Sequence, residues 1–334
     1  MKSSSESSRW SGLIDYFGLL GVIALMMLFF GTQTENFWTL PNLFKTANQI
    51  PEFTLLAIGM TFVLIIGGID LSVGSVFALS GVVTGVAAVQ WNWPISLAMT
   101  LGVFVGGCCG FLNGFVSERW RIPSFIVTLG MLEIARGAEL MIANSQTQYI
   151  GGAVEKLGMP IPGLGITPAF LIAILFVVIA QVILSKTVFG RYLFAIGNNE
   201  EAVRLSGINA RPLKITVFVI AGLMAGFAGL FQVWRMGSAD PAVGVGHELT
   251  AIAAAVVGGT SLTGGRGSVV KSFLGVLIIA ILASGLVQMR TSFHFQRIVT
   301  GVVIVLAVIL DAYRQKVTWV EFRDSFLKRK PAAR

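Results

Sequence analysis

An all-α fold crossing a membrane about ten times is what this chain predicts. Of its 334 residues, 55% are hydrophobic and 12% charged, against about 25% charged in an ordinary soluble domain, and the mean hydropathy is +0.81. Apolar runs long enough for the roughly 30 Å hydrocarbon core recur from end to end. The third observation is where Lys and Arg fall between those runs.

The runs, in order, are Leu13–Phe30, Pro51–Ile69, Leu71–Val89, Pro94–Ser117, Ser124–Ala143, Thr167–Leu184, Ile215–Trp234, Glu248–Leu262, Ser268–Met289 and Ile298–Tyr313. The first is followed by Phe29-Phe30-Gly31-Thr32-Gln33, a poor cleavage site, so it reads as a retained span. The second and eighth run into glycine-rich breaks. The fourth carries Cys108 and Cys109, whose side chains point about 100° apart on a helix and cannot form an ordinary disulfide. The fifth contains Glu133, Arg136 and Glu139, one stripe at a spacing of three. A charge at mid-membrane costs about 2.5 to 3.5 kcal/mol on insertion scales, so that stripe must turn inward, with Arg136 between two carboxylates and Glu133 the firmer partner.

A cytoplasmic N-terminus places residues 1–12, 118–122, 185–214, 263–271 and 314–334 inside, and these hold eighteen of the 24 Lys and Arg. That asymmetry satisfies the positive-inside rule and puts both termini in the cytoplasm. The net charge of +8 therefore reflects topology, not nucleic-acid binding. The organisation is a cytoplasmic segment 1–12, a transmembrane domain 13–313 with its cytoplasmic loop 185–214, and a basic tail 314–334 suited to anionic lipid.

Within that loop, Gly190–Pro212 is an island of charge. Asn198 can cap a helix whose fourth residue is Glu201, and Glu200 and Glu201 favour a helix start. Glu200 and Arg204 make the favourable i,i+4 pair, Gly207 supplies a left-handed stop, and Pro212 restarts the chain. The result is a helix of about eight residues, roughly 12 Å long. Asn198, Glu200, Glu201, Ala202, Arg204, Leu205, Ser206 and Gly207 thus form one candidate docking element.

The two breaks resemble each other. Gly67-Gly68-Ile69-Asp70-Leu71-Ser72-Val73-Gly74 and Gly258-Gly259-Thr260-Ser261-Leu262-Thr263-Gly264-Gly265 both read Gly-Gly-x-x-Leu-hydroxyl-x-Gly. Ser-Val follows in each, after two extra residues in the second copy. The span count puts both on the same side of the bilayer. Non-helical backbone at membrane depth persists only where it is buried in protein or lines water, and paired interruptions point to the working part of a transporter. Gly67, Gly68, Asp70, Ser72, Gly258, Gly259, Thr260 and Ser261 are hinge or pathway candidates, with Glu133 and Arg136. Asp70 also suits a cap for a helix starting at Leu71.

Other chemistry is excluded. Gly259 and Gly264 have phosphate-loop spacing, but Gly265 stands where the lysine should be and no strand precedes it. His247 and His294 are isolated, so neither a metal site nor a catalytic constellation is expected.

Longer motifs carry a family resemblance. Ile69–Ser75, Phe125–Gly130, Arg136-Gly137, Gly190-Arg191-Tyr192, Ala195–Asn198, Glu201–Ile208 and Gly258–Leu262 with Gly264-Gly265 are similar in order and spacing to bacterial ABC sugar-importer permeases of the ribose, xylose and galactose type, over roughly Asp15 to Arg314. The resemblance implies the ABC importer permease fold in a bacterial inner membrane, usually as a homodimer surrounded by lipid. It implies two partners, a periplasmic sugar-binding protein and a cytoplasmic ATPase, with ATP and Mg on the ATPase and no cofactor here. Glu201-Ala202-Val203 with Gly207 resembles the Glu-Ala-Ala-x-x-x-Gly coupling loop that docks on the ATPase, Val203 replacing the usual Ala. Lys271, His247, the Pro51 that interrupts the second span, and Gln146–Tyr149 depart from the family pattern, leaving ribose-like, xylose-like, galactose-like and inositol-like substrates open. The alternative is an ion-coupled secondary transporter of a small polar solute, with Glu133, Arg136 and Glu139 as the relay.

Overall fold

A computed structural model describes residues 3–309 apart from Phe293, Ile304 and Ala307, with side chains from Asp15 onward except those of Ala153 and Glu155. The helices are α1 (Ser3–Gln33), α2 (Leu40–Ile65), α3 (Val73–Val89), α4 (Ile95–Trp120), α5 (Ser124–Ile142), α6 (Gly152–Gly158), α7 (Pro168–Lys186), α8 (Val188–Leu205), α9 (Ala210–Met236), α10 (His247–Val257) and α11 (Val269–Gln288). Residues 294–303 are also helical. The only strands among the described residues, β1 (Gln148–Tyr149) and β2 (Ser238–Ala239), pair antiparallel at one end of the bundle.

Six described helices are long and apolar enough to cross a membrane: residues 15–33 of α1, and α2, α4, α7, α9 and α11. By that criterion the expected ten crossings are not reached. α3 and α10 are shorter apolar helices, and α5 carries the three charges of its stripe. The last expected run, Ile298–Tyr313, leaves the described residues, as does the tail 314–334.

The second and eighth runs differ from the expected bounds. Pro51 does not interrupt the second span: α2 begins eleven residues earlier, with Pro41 in its first turn, and runs through Pro51, which is buried. Packing on all sides offsets the lost backbone bond, as neighbouring helices allow in membranes. The eighth run stops being helical at Val257, because Gly259 takes φ +85°.

The bundle is closed by small residues. Gly102, Gly106, Gly110 and Gly114 recur every fourth position on α4, and a Cβ on Gly106 or Gly110 would strike the backbone of Gly222 or Phe218 on α9. Contact at backbone level drives helix association where lipid removes the hydrophobic incentive. α3, buried along nearly its whole length, lies against α4, α5 and α9.

Polar ties hold the periphery. Glu52 of α2, 2% exposed, accepts from Arg235 Nε at 2.7 Å and Nη2 at 3.1 Å. Lys271 reaches Asp15 of α1 at 2.7 Å and covers the Tyr16 ring. Lys271 therefore has a local role in tying α1 to α11.

Candidate functional site

The two breaks are built alike, and not in the register that the letters suggest. At the first, Ile66 ends α2, Gly67 takes φ +74°, and Gly67 N and Gly68 N donate to Leu64 O and Val63 O, both at 2.9 Å. At the second, Gly258 ends α10, Gly259 takes φ +85°, and Gly259 N and Thr260 N donate to Val256 O at 2.8 Å and Ala255 O at 2.9 Å. Both are Schellman stops, with Gly67 equivalent to Gly259. The alignment of Gly67 with Gly258 is thus one residue out. Gly258 serves another purpose: a Cβ there would meet the Lys271 carbonyl of α11.

The first break hides its backbone polar groups in side chains, and the second is laced by hydroxyls. Ile69 N donates to Ser124 Oγ at 3.0 Å and Leu71 N to Thr128 Oγ1 at 3.1 Å, both from α5. Asp70 is buried and accepts from Ser72 N at 2.8 Å and Ser72 Oγ at 2.7 Å. It thus secures the start of α3, which lies at Val73 and not at Leu71. Asn113 of α4 donates to Ser72 Oγ at 2.9 Å. At the second break, Thr61, Ser272 and Thr260 form a buried hydroxyl chain with spacings of 2.7 and 3.2 Å, and Ser261 and Thr263 hydroxyls pair at 3.0 Å. Irregular backbone survives here because every element around it supplies partners.

The breaks also touch. Gly265 N donates to Ile65 O at 2.9 Å, and a Cβ on Gly264 would lie 3.0 Å from Gly67 N. The expectation that both face one side of the bilayer fits this contact.

The charged island lies beside them, with different capping from that expected. α8 is kinked at Asn199 (φ −163°, ψ 95°), and Asn199 Oδ1, not Asn198, accepts from Ala202 N at 2.9 Å. Asn199 takes the cap because Asn198 is committed to the preceding turn, donating Nδ2 to Phe194 O at 2.7 Å and Gly265 O at 3.3 Å. The helix beyond the kink, residues 200–205, exposes Glu200, Glu201, Ala202, Arg204 and Leu205. Arg204 pairs with Glu201 at 2.6 Å, not with Glu200. Glu200 instead meets Lys214 at 3.2 Å, and Lys214 also binds Glu118 of α4 at 2.5 Å. Ser206 ends the helix and Gly207 takes φ +80°, as expected.

A cavity of about 770 Å³ opens between this helix and the α4–α5 turn. Gly67 and Gly68 form part of its floor, and Glu118, Arg121, Arg204 and Lys214 part of its wall. It brings the first hinge and the docking candidates into one place.

The α5 stripe does not belong to it. Arg136 Nη1 lies 2.8 Å from Glu139 Oε1 and 2.7 Å from Val243 O, while Glu133 is exposed and has no cation partner among the described residues. Glu139, not Glu133, is the firm partner. Glu139 is buried, and half-buried Arg136 beside it also donates to the Val243 carbonyl of the 240–247 loop. The sequence reading missed Ser124, Thr128, Asn113, Lys214 and Glu118 as supports. The hydroxyls at 124 and 128, one turn apart on α5, were the available signal.

Among described residues no group of His, Cys, Asp and Glu could hold a metal. Residues 42–308 match the family described as branched-chain amino acid transport system / permease component. The ribose import permease protein RbsC of Escherichia coli K12 is 39% identical over 315 residues, covering 91% of this chain and 95% of the relative. That of Bacillus subtilis is 35% identical over 93% of this chain and 97% of the relative. The L-arabinose ABC transporter permease protein AraH of Azospirillum brasilense is 35% identical over 91% and 89%. No solved structure matches the chain.

Proposed function

The chain belongs to the family of branched-chain amino acid transport system permease components, and from that membership we propose that it is the membrane-spanning subunit of an ATP-binding cassette importer for a monosaccharide or related polyol. Sugar is favoured over amino acid because the relatives matched along nine-tenths of this chain are named for ribose and arabinose. It is a transport subunit, not an enzyme. ATP and Mg belong to a separate cytoplasmic ATPase, and a periplasmic sugar-binding protein delivers the substrate.

One observation carries the reading: the helix that leads, across the kink at Asn199, into a short charged segment packs through Gly197 and Asn198 against the chain at both glycine hinges. A subunit without its own ATP loop needs such an element, because only contacts that differ between ATPase states can shift it between outward and inward forms. Asn198, Glu200, Glu201, Ala202, Arg204, Leu205, Ser206 and Gly207 form the coupling region in this reading. The hinges at 66–72 and 258–265 flex, and Asp70, Ser72, Thr260 and Ser261 hold their ends. Arg136 locks α5 to the 240–247 loop. The chain sits in the bacterial inner membrane with both termini in the cytoplasm, and two copies complete the pathway.

Uptake of a labelled mixture of pentoses and hexoses, in cells carrying the permease with its ATPase and binding protein, tests this. Uptake should cease on ATP depletion and survive a protonophore while ATP is maintained. The opposite pattern would establish ion coupling instead.

A further inference from the structure

Three backbones meet at one point, and none leaves room for a side chain. Gly197 of α8 faces Ile65 O at the end of α2, and a Cβ on it would overlap that oxygen and Gly265 N. Those two atoms are themselves hydrogen-bonded at 2.9 Å. Gly264, at φ +90°, has Gly197 O and Gly67 N as nearest neighbours to its missing Cβ, at 2.9 and 3.0 Å. Next in sequence, Asn198 Nδ2 spans Phe194 O and Gly265 O. Two residues on, the helix changes direction and emerges as the charged segment 200–205.

We propose that Gly197 and Asn198 are the joint that transmits movement of segment 200–205 to both hinges at once, which rests on the importer reading above. Helix Val188–Asn198 is the inner arm, residues 200–205 the outer arm, and Asn199 the bend between them. The outer arm is held by buried Val203 in the main core and by the Glu200–Lys214 ion pair, while its other side chains are exposed, so a pull on them acts on the bend. Because Gly197 packs against the Ile65–Gly265 hydrogen bond itself, the inner arm cannot rotate without displacing the end of α2 and residues 264–265 together. Packed contacts of this kind switch between discrete arrangements and do not deform smoothly.

Two substitutions load the joint differently. Gly197→Ala inserts a methyl between Ile65 O and Gly265 N. Asn198→Asp keeps the shape but turns a donor into an acceptor facing two carbonyl oxygens; the site is exposed, so the fold should tolerate it.

The experiment uses proteoliposomes holding the permease with its ATPase, the binding protein outside, and a mixed probe of labelled D-ribose, L-arabinose, D-allose and D-fructose. Sugar imported per ATP hydrolysed is the readout, because a merely structural defect lowers both quantities in step. Asn198→Asp should lower that ratio at least fivefold. Gly197→Ala should lower it further. A wild-type ratio in Asn198→Asp, or loss of uptake only in proportion to lost ATPase, would overturn the joint while leaving the importer reading intact. Failure of the wild-type complex to import any of the four sugars with ATP, coupled with import on an imposed proton gradient, would overturn both.

Discussion

Gly207→Val separates a backbone role from a surface role at the coupling helix. Gly207 has φ +80° and closes the helix by donating its N to Arg204 O at 3.0 Å, with Ile208 N donating to Val203 O at 3.3 Å. A Cβ there would meet nothing within 4 Å, so steric crowding contributes nothing and the whole cost is conformational. An L-residue in the left-handed region costs about 1 to 2 kcal/mol, with a β-branched one at the upper end, and about 1.4 kcal/mol is a tenfold change in population. Valine should therefore reduce the population of the native helix end roughly thirtyfold, alanine about five- to tenfold, and asparagine, which tolerates this conformation, two- to threefold at most. In purified permease–ATPase complexes, stimulation of hydrolysis by sugar-loaded binding protein should fall in the order Gly, Asn, Ala, Val while the amount of permease in the membrane stays constant. Equal loss in Asn, Ala and Val would mean that the glycine surface itself is the contact. Full stimulation in Val would remove this helix end from the mechanism.

Arg235→Ala leaves Glu52 as a buried carboxylate without its cation; breaking such a pair costs about 3 to 5 kcal/mol, and about 3 here because Arg235 is partly exposed. Melting in detergent should drop by several degrees, and adding Glu52→Gln should recover part of the loss. Arg136→Ala should lower membrane abundance through the stranded Glu139, and the swap Arg136→Glu with Glu139→Arg should recover part of it, whereas Glu133→Gln should do nothing. Gly68→Leu should abolish uptake, since a Cβ there would lie 3.2 Å from Val63 Cγ1 and 3.3 Å from Ser124 Oγ, and wild-type uptake would show that the first break does not work as a hinge. A cysteine replacing Ser206 should resist an impermeant thiol reagent in intact spheroplasts while one replacing Gly151 reacts; the reverse labelling would invert the topology.

Much of the architecture was legible because membranes impose length and polarity on every crossing. The runs in α1, α4, α5, α7, α9 and α11 were found within a few residues at most ends, since hydrocarbon thickness constrains them. What failed was local. Pro51 was read as a break because single-sequence reasoning sees the missing N–H and not the neighbours that compensate for it. The one-residue error between the hinges arose because letters were matched, whereas the structure matches the residue with positive φ. The adjacent asparagines 198 and 199 are equivalent as caps in the letters, and the tertiary contact of Asn198 with Gly265 separates them. Glu139 lies near the outer end of its span, where depth alone lets it reach the interface, and its burial depends on a loop a hundred residues away that also receives Arg136. The glycine ladder of α4 against α9 is present in the letters, and only the facing helix gives it meaning.

The most direct test of the central claim is the ATPase rate of the reconstituted complex when sugar-loaded binding protein is added to the outer face. Hydrolysis should rise severalfold over the rate with empty binding protein, and Glu201→Lys, which reverses charge at the start of the coupling helix, should abolish the rise without reducing the basal rate. A rate indifferent to loaded binding protein, in vesicles that still accumulate sugar on an imposed proton gradient, would contradict the account.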